Sequence, residues 1–278
     1  MENIKNFCSR IGFPEEATEF FCGLIEKIGA DTFNEAIATY VSAETDDYKP
    51  LTKAIADANG ISVYTADMIM LILAAQPLKE KFAENGYVEE LFYDTMCDLT
   101  YKINECKKLH GIWGTFVTDW FRWFYQLNRF TLGRLQFEMK PAVFDYKDKI
   151  KKGDLVINIH IPSSGPITPE AVEDSLRKAY EFYGCEGEMI VSCSSWMIYP
   201  PHYDLFPENS NLRKFYDLFE ILDTKETGTN DLWRFFYKEK FEDIAEEDIK
   251  TRLHKNFYEF IKEGNQLGVG IGVIVYNK

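Results

Sequence analysis

Several features that would place this chain in a familiar class are missing from its sequence. The six cysteines form no CxxC pair and no cysteine–histidine cluster with the spacing of a zinc site. No apolar run is long enough to span a membrane, and the first residues lack the apolar core of a signal peptide. From these absences we expect a cytoplasmic protein with reduced thiols, no bound metal and no membrane partner.

Positive charge is also scarce. The 278 residues include 31 Lys and Arg against 45 Asp and Glu, which gives a net charge of −14. Divided after Phe130, the two parts carry −8 and −6, so neither offers the large basic surface that follows a phosphate backbone. We therefore expect no nucleic-acid partner, while a local basic patch around a small anionic cofactor remains open.

Flexible linkers, repeats and low-complexity segments are absent too. We therefore infer the domain boundary from the place where the spacing of apolar residues changes. Up to residue 130 the apolar residues recur with helical spacing, and Pro77 is predicted to end the fourth helix. The last of these segments is the most aromatic in the chain, and we interpret it as a buried helix rather than a ligand cage. The predicted helices are 14–28, 31–42, 54–58, 65–76, 87–109 and 112–130.

Beyond residue 131, segments with strand alternation are interspersed with helical ones. A run of helices followed by mixed strands and helices indicates an α+β protein. We predict an all-helical domain over residues 1–130 and a mixed α/β domain over residues 131–278. The predicted strands are 133–139, 155–161, 188–198, 232–237 and 267–276, and the predicted helices are 168–183, 211–222 and 247–263.

The stretch 155–183 is organised as strand, turn and helix. Leucine and isoleucine alternate with Val156, Asn158 and His160 over 155–161, and a Pro-Ser-Ser-Gly-Pro turn follows. Thr168 can cap the next helix, whose first residue is Pro169. Backbone N–H groups at Ser163, Ser164 and Gly165, ahead of a helix N-terminus, suit a phosphate, although many such junctions bind nothing.

Polar side chains mark one face of the predicted sheet. Asn158 and His160 share the polar face of their strand, and Glu138 shares a face with Gln136 on another. His160 could be a general base, a substrate-orienting group or a residue that holds the turn. Glu138 could accept a proton or bind a cationic amine, and this face could also pack against the helices of the first domain.

Other reactive side chains have simpler interpretations. Cys193 is expected to be a buried structural thiol, because nothing places a base beside it. Trp196 is expected in the core rather than as a stacking platform, and Tyr216 is a candidate for an acid that protonates a leaving thiolate. His202 and His254 are interpreted as surface residues, and no metal-ligating set is indicated around them.

Four segments resemble a two-domain acyltransferase-like family, in which a helical N-terminal domain precedes a GNAT-like domain. They are GRLQFEM (133–139), VINIHIPSSGPITPEAVEDSLRKAYEFY (156–183), SCSSWMIYP (192–200) and LFPENSNLRKFYDLF (205–219). The resemblance implies a mixed sheet that binds acetyl-CoA or another acyl-CoA as co-substrate. It also implies a small-molecule amine as acceptor and attack of that amine on the thioester.

Candidate roles follow from the resemblance and from the polar face of the sheet. The resemblance implies that the pyrophosphate of acyl-CoA lies on Ser163, Ser164, Gly165 and Thr168. The catalytic candidates are His160 and Glu138, and the candidate substrate contacts are Asn158, Ser194, Trp196 and Tyr216.

Two departures from the family pattern leave alternatives open. The glycine-rich phosphate signature Arg/Gln-x-x-Gly-x-Gly/Ala is absent, and Ser194 stands where the family tends to have histidine. A catalytically inactive GNAT-like module that binds small molecules or partners is the first alternative. The second is a scaffold in which the aromatic segment 112–125 drives self-association. The sequence does not indicate an oligomeric state.

Overall fold

The structure is a computed structural model that describes residues 1–42 and 45–278. The chain forms two compact units, Met1–Thr131 and Leu132–Lys278. The first is helical and the second is built on a mixed sheet, so the predicted α+β class is confirmed.

Up to Tyr125, helices make up the regular structure of the first unit over its described residues. Short 3₁₀ turns at Ala30–Phe33 and Thr118–Phe121 precede two of the helices. The α-helices are α1 (Glu2–Arg10), α2 (Glu15–Ile28), α3 (Asn34–Ser42), α4 (Tyr48–Asn59), α5 (Val63–Glu84), α6 (Glu89–Met96), α7 (Asp98–His110) and α8 (Arg122–Tyr125).

Helix α5 continues past Pro77, so the prediction that this proline ends it is wrong. A proline inside a helix removes one hydrogen bond and costs about 3 kcal/mol. Beyond it, Leu78 and Phe82 are both fully buried. Burial of these two side chains offsets the cost, because tertiary packing of an apolar face supplies most helical stability.

The aromatic segment 112–130 is not one helix. Thr115 N donates to Tyr64 O at 3.0 Å, and a Cβ on Gly114 would lie 2.5 Å from the Tyr64 carbonyl carbon. This close backbone approach holds the start of the segment extended. Phe121 and Phe124 are nevertheless fully buried, which confirms their predicted core position.

The sheet of the second unit has the strand order β1-β2-β3-β4-β6-β5, with β1 at the boundary between the units. Its strands are β1 (Arg129–Leu132), β2 (Leu135–Pro141), β3 (Leu155–His160), β4 (Met189–Ser195), β5 (Glu220–Gly228) and β6 (Leu267–Tyr276). Its helices are α9 (Pro169–Phe182), α10 (Asn211–Tyr216), α11 (Leu232–Phe236) and α12 (Arg252–Lys262).

Three predicted elements of this unit are corrected. The segment 232–237 is helix α11 rather than a strand, because Leu232, Phe235 and Phe236 are buried together with i, i+3, i+4 spacing. The helix predicted for 211–222 ends at Tyr216, and the chain then enters β5, an edge strand without apolar alternation. Helix α12 begins only after Thr251, whose side chain caps it.

No single helix within residues 1–42 and 45–278 is both long and apolar enough to cross a membrane. Helices α4 and α5 meet that test only as a pair, and they are bent by 115° at their junction.

His202 is fully buried, so its predicted surface position is wrong. Its Nδ1 donates to Trp196 O at 2.9 Å, and its ring lies 4.8 Å from Tyr199 and 4.9 Å from Phe257. This burial lowers the pKa of His202 from 6.5 to about 4.

Because His202 is buried, we expect the folded protein to lose stability at acidic pH. Between pH 6.5 and pH 4 the unfolded chain protonates this ring and the folded chain does not, so stability falls as the pH falls. We expect His202 to lower the free energy of unfolding by about 2 kcal/mol between pH 7 and pH 5. Urea unfolding of wild type and His202→Phe at both values measures this, and equal pH dependence in the two proteins would refute it.

Candidate functional site

Five polar side chains share one face of the sheet. The register pairs Gln136 with His160 and Glu138 with Asn158 across β2 and β3, and pairs Asn158 with Ser192 across β3 and β4. Residues directly opposite each other on neighbouring strands point to the same side. The predicted polar faces of β2 and β3 are therefore one surface, and it extends onto β4.

This face is divided into an apolar end and a polar end. Val156 and Val273 are buried under Ala142, Tyr146 and Ile150 from the connection between β2 and β3. The polar residues lie toward the carboxyl ends of β3 and β4, the edge of a parallel pair where α/β proteins commonly bind ligands.

Glu138 and His160 form the central contact of the site. Glu138 Oε1 lies 2.8 Å from His160 Nε2, and the Glu138 side chain is only 6% exposed against 20% for His160. A carboxylate oxygen and an unprotonated ring nitrogen would repel at that distance, so one proton lies between them. A buried carboxylate bonded to one ring nitrogen orients a histidine and stabilises its protonated form, as in a general-base pair.

β3 and β4 part beside this pair. Their parallel pairing covers Ile157 to Ile159 against Val191 to Cys193, and His160 and Ser194 lie one position beyond it. Ser194 is exposed on its strand. The two ends of the strands therefore present His160 and Ser194 on either side of the point of divergence.

The turn after β3 is held by Arg134, from the turn between β1 and β2. Arg134 donates from Nη2 to Gly165 O at 2.7 Å and from Nε to Pro166 O at 3.1 Å. Ser163, Ser164 and Gly165 are exposed, and Gly165 has a φ of 117° that favours glycine.

Thr168 caps α9 as predicted, since its Oγ1 accepts from Ala171 N at 3.2 Å. Glu170 lies in the first turn of α9. Its carboxyl group accepts hydrogen bonds from the Glu170 backbone N–H and from the Thr168 side chain, and both lower its pKa. An anionic ligand at this helix terminus would compete with that carboxylate.

Two of the predicted substrate contacts lie in other clusters. Trp196 packs edge-on against Phe235 at 4.8 Å, within the apolar cluster that also contains Phe206. Tyr216 ends α10 with its ring 4.8 Å from Tyr203. The structure thus brings together Glu138, Asn158, His160 and Ser194, and the roles of all these residues stay predictions.

Ser192 and Arg134 are the members of this region that sequence reasoning did not single out. Each is identified by a long-range contact, with Asn158 and with the turn at Gly165 respectively. In the sequence alone, Ser192 is marked only by its place on a predicted strand, on the face opposite to that of Cys193.

Cys193 is buried on the opposite side of β4, and this burial raises its pKa to about 12. Only about one molecule in 10,000 would carry the thiolate at pH 8, so iodoacetamide is expected to label Cys193 only after denaturation. The half-exposed Cys185 serves as the native control. Peptide mass spectrometry reads both, and comparable native labelling of the two would contradict the assignment of Cys193 as a structural thiol.

Within the described ranges, no three His, Cys, Asp or Glu side chains are grouped so that they could hold a metal ion.

Two family models together match nearly the whole chain. The model described as the N-acyltransferase N-terminal domain matches residues 2–127, and the model described as the GNAT-like C-terminal domain matches residues 129–274. No curated protein matches this sequence.

Solved acyltransferase structures share the fold. A complex with decanoyl-CoA and teicoplanin superposes with a TM-score of 0.76 at 17% identity, over 99% of this chain and 88% of that chain. A mutant in complex with octanoyl-CoA gives 0.75 at 18%, and a complex with decanoyl-CoA gives 0.75 at 19%, with the same coverage. At these identities the likeness is one of fold.

Proposed function

We propose that this chain, which belongs to the family with a GNAT-like C-terminal domain behind an N-acyltransferase N-terminal domain, transfers an acyl group from acyl-CoA to an amine. The observation that carries the proposal is the buried Glu138–His160 contact, beside the point where β3 and β4 part. A thioester positioned between the ends of these strands would meet a base at His160.

Acyl-CoA is proposed as the donor from the family and from the fold. The structures that share the fold were determined with decanoyl-CoA, octanoyl-CoA or CoA, one of them also with teicoplanin and another with 10C-teicoplanin. For this chain we propose that the pyrophosphate lies at Ser163, Ser164, Gly165 and Thr168, where exposed turn residues precede helix α9. The acceptor is proposed to be a small-molecule amine.

The proposed reaction removes two protons from the amine nitrogen and returns one to the sulfur. An amine reaches the site as an ammonium ion, and His160 accepts its first proton so that the nitrogen can attack the thioester carbonyl. The attack gives a tetrahedral intermediate with an oxyanion and a positively charged nitrogen. Its C–S bond then breaks, the nitrogen loses its second proton to give the amide, and the CoA thiolate takes up that proton and leaves as the thiol, while His160 returns the first proton to the solvent.

Glu138 and Ser194 are proposed to assist at the same place. The Glu138 carboxylate stabilises the imidazolium that forms on His160, which makes the ring a stronger base. Ser194 lies on β4, one position past the pairing of β4 with β3, and is proposed to contact the substrate through its hydroxyl.

Calorimetric titration with acetyl-, octanoyl- and decanoyl-CoA tests the donor site. We expect at least one of them to bind with a dissociation constant below the millimolar range. Ser164→Asp should weaken that binding by roughly tenfold, because it sets a carboxylate beside the pyrophosphate. Ser9→Asp, an equal change on the exposed face of α1, is the control. Absence of binding to all three at millimolar concentration would refute the proposal.

A further inference from the structure

The turn between β1 and β2 is fastened to helix α9 by a buried hydroxyl. Ser175 is fully buried, and its Oγ accepts from Arg134 N at 2.7 Å and from Leu135 N at 3.3 Å. The same hydroxyl donates to Ala171 O at 2.8 Å, within α9. Gly133 allows this contact, because a Cβ there would lie 2.8 Å from Ser175 Oγ. The backbone of Arg134 is therefore held at a fixed place on α9.

The Arg134 side chain joins this anchored backbone to the turn after β3. Its Nη2 and Nε donate to Gly165 O and Pro166 O, the carbonyls of two consecutive residues. A guanidinium group fits such a pair because its donors lie in a fixed planar fork. The peptide between Gly165 and Pro166 has no N–H group, so its carbonyl is the only polar group that can hold it in one orientation. One side chain thus fixes the turn against the helix that the turn precedes.

These contacts concern a turn that lacks the glycine-rich phosphate signature. A glycine-rich loop can bring several backbone N–H groups to one point, because glycine adopts positive φ without strain. Within residues 162–168 the one glycine is Gly165, so most of this turn does not have that freedom. Its shape must then be determined largely by contacts from other segments.

We propose that Arg134 is a positioning residue that imposes the anion-binding shape of this turn, an inference that rests on the proposed donor site. By holding the carbonyls of Gly165 and Pro166, it keeps both oxygens turned away from the side where the pyrophosphate of acyl-CoA is proposed to bind. A carbonyl oxygen that turned toward the pyrophosphate would repel it.

The rigidity of the turn can be measured without any ligand. Nitrogen-15 relaxation gives the backbone order parameter of Gly165, which we expect to be about 0.85 in wild type and below about 0.6 in Arg134→Gln. The shorter glutamine has a single amide donor group and cannot bridge both carbonyls. Arg177→Gln removes an equal charge further along α9, where Arg177 pairs with Asp174 and Glu181, and should leave this order parameter unchanged. The proposal is overturned if Gly165 is as rigid in Arg134→Gln as in wild type.

Calorimetric titration separates positioning from simple attraction of charge. Arg134→Gln should weaken the binding of acetyl-, octanoyl- or decanoyl-CoA, whichever wild type binds, by roughly tenfold. Arg134→Lys keeps the charge without the planar fork, so it should show most of the same loss, and it replaces Arg134→Gln should that variant not fold. Wild-type affinity in Arg134→Lys would show that Arg134 acts through its charge, and would overturn the positioning role.

Turnover tests whether the effect is confined to donors that carry the pyrophosphate. The matching thioester of N-acetylcysteamine keeps the acyl group and the sulfur and lacks the phosphates. Arg134→Gln should raise KM for acyl-CoA by roughly tenfold at unchanged kcat, and should leave kcat/KM for the cysteamine thioester as in wild type. An equal loss with both donors would overturn the proposal. A chain that binds none of the three CoA thioesters would refute the proposed function, and the order parameter of Gly165 would then decide whether Arg134 holds the turn.

Discussion

Replacement of His160 by glutamine is expected to lower kcat/KM for acyl transfer by about 100- to 10,000-fold. The expectation follows from the contact of Nε2 with Glu138 Oε1 and from the position of His160 one residue past the paired part of β3 and β4. Glutamine can still donate to the carboxylate but cannot accept a proton from an ammonium ion. The loss should therefore appear in the chemical step and not in donor binding.

Two measurements make this result specific. The affinity of His160→Gln for acyl-CoA, measured by calorimetry, should equal that of wild type. Glu138→Gln should lower kcat/KM by a smaller factor, since it removes the charge that stabilises the imidazolium and leaves the base in place. A His160→Gln enzyme with activity within about threefold of wild type would show that His160 is not the base.

Gly270→Ala is expected to destabilise the second unit by about 3 kcal/mol or more. A Cβ at this position of β6 would lie 1.9 Å from Ile198 O and 2.6 Å from Ile198 C. Both atoms belong to the backbone, so no side-chain rotation relieves the clash. At the neighbouring Gly268, a Cβ would lie 2.5 Å from an atom of the Tyr199 ring, so both glycines of β6 allow a close approach of residues 198 and 199.

A matched substitution isolates the clash from the loss of a glycine. Gly23 lies on the exposed face of α2 with nothing within 4 Å of its Cβ position, so Gly23→Ala should stabilise its helix by about 0.5–1 kcal/mol. In thermal unfolding, Gly270→Ala should lower the Tm of the second unit by roughly 10 °C. A Tm for Gly270→Ala equal to that of wild type would contradict the close packing of β6 on the turn at Ile198.

Local signals were sufficient for the strand–turn–helix at the centre of the second unit. Thr168 caps α9 and Pro169 begins it, as the sequence predicts, because caps and helix starts depend on residues within one turn. The same local rule fails at Pro77, where burial of Leu78 and Phe82 extends the helix. It also fails at β5, whose exposed edge position imposes no apolar alternation.

Within a single strand, the alternation of side chains was enough to predict which residues of the candidate site share a face. Period two placed Asn158 beside His160 and Glu138 beside Gln136, and the structure joins these two sets through the β2–β3 register. Ser192 could not be predicted, because its role depends on the register of β4 against β3, which no local pattern specifies. The same holds for Arg134, whose contact with Gly165 joins the turn between β1 and β2 to the turn after β3.

The most direct test of the account is the formation of an amide with release of free CoA. Purified protein, an acyl-CoA that binds and a panel of primary amines would be followed by liquid chromatography and mass spectrometry. The account predicts equal amounts of acylated amine and CoA from wild type, and formation slower by at least about 100-fold with His160→Gln. Equal rates from the two proteins, or a bound acyl-CoA that no amine of the panel consumes, would contradict it.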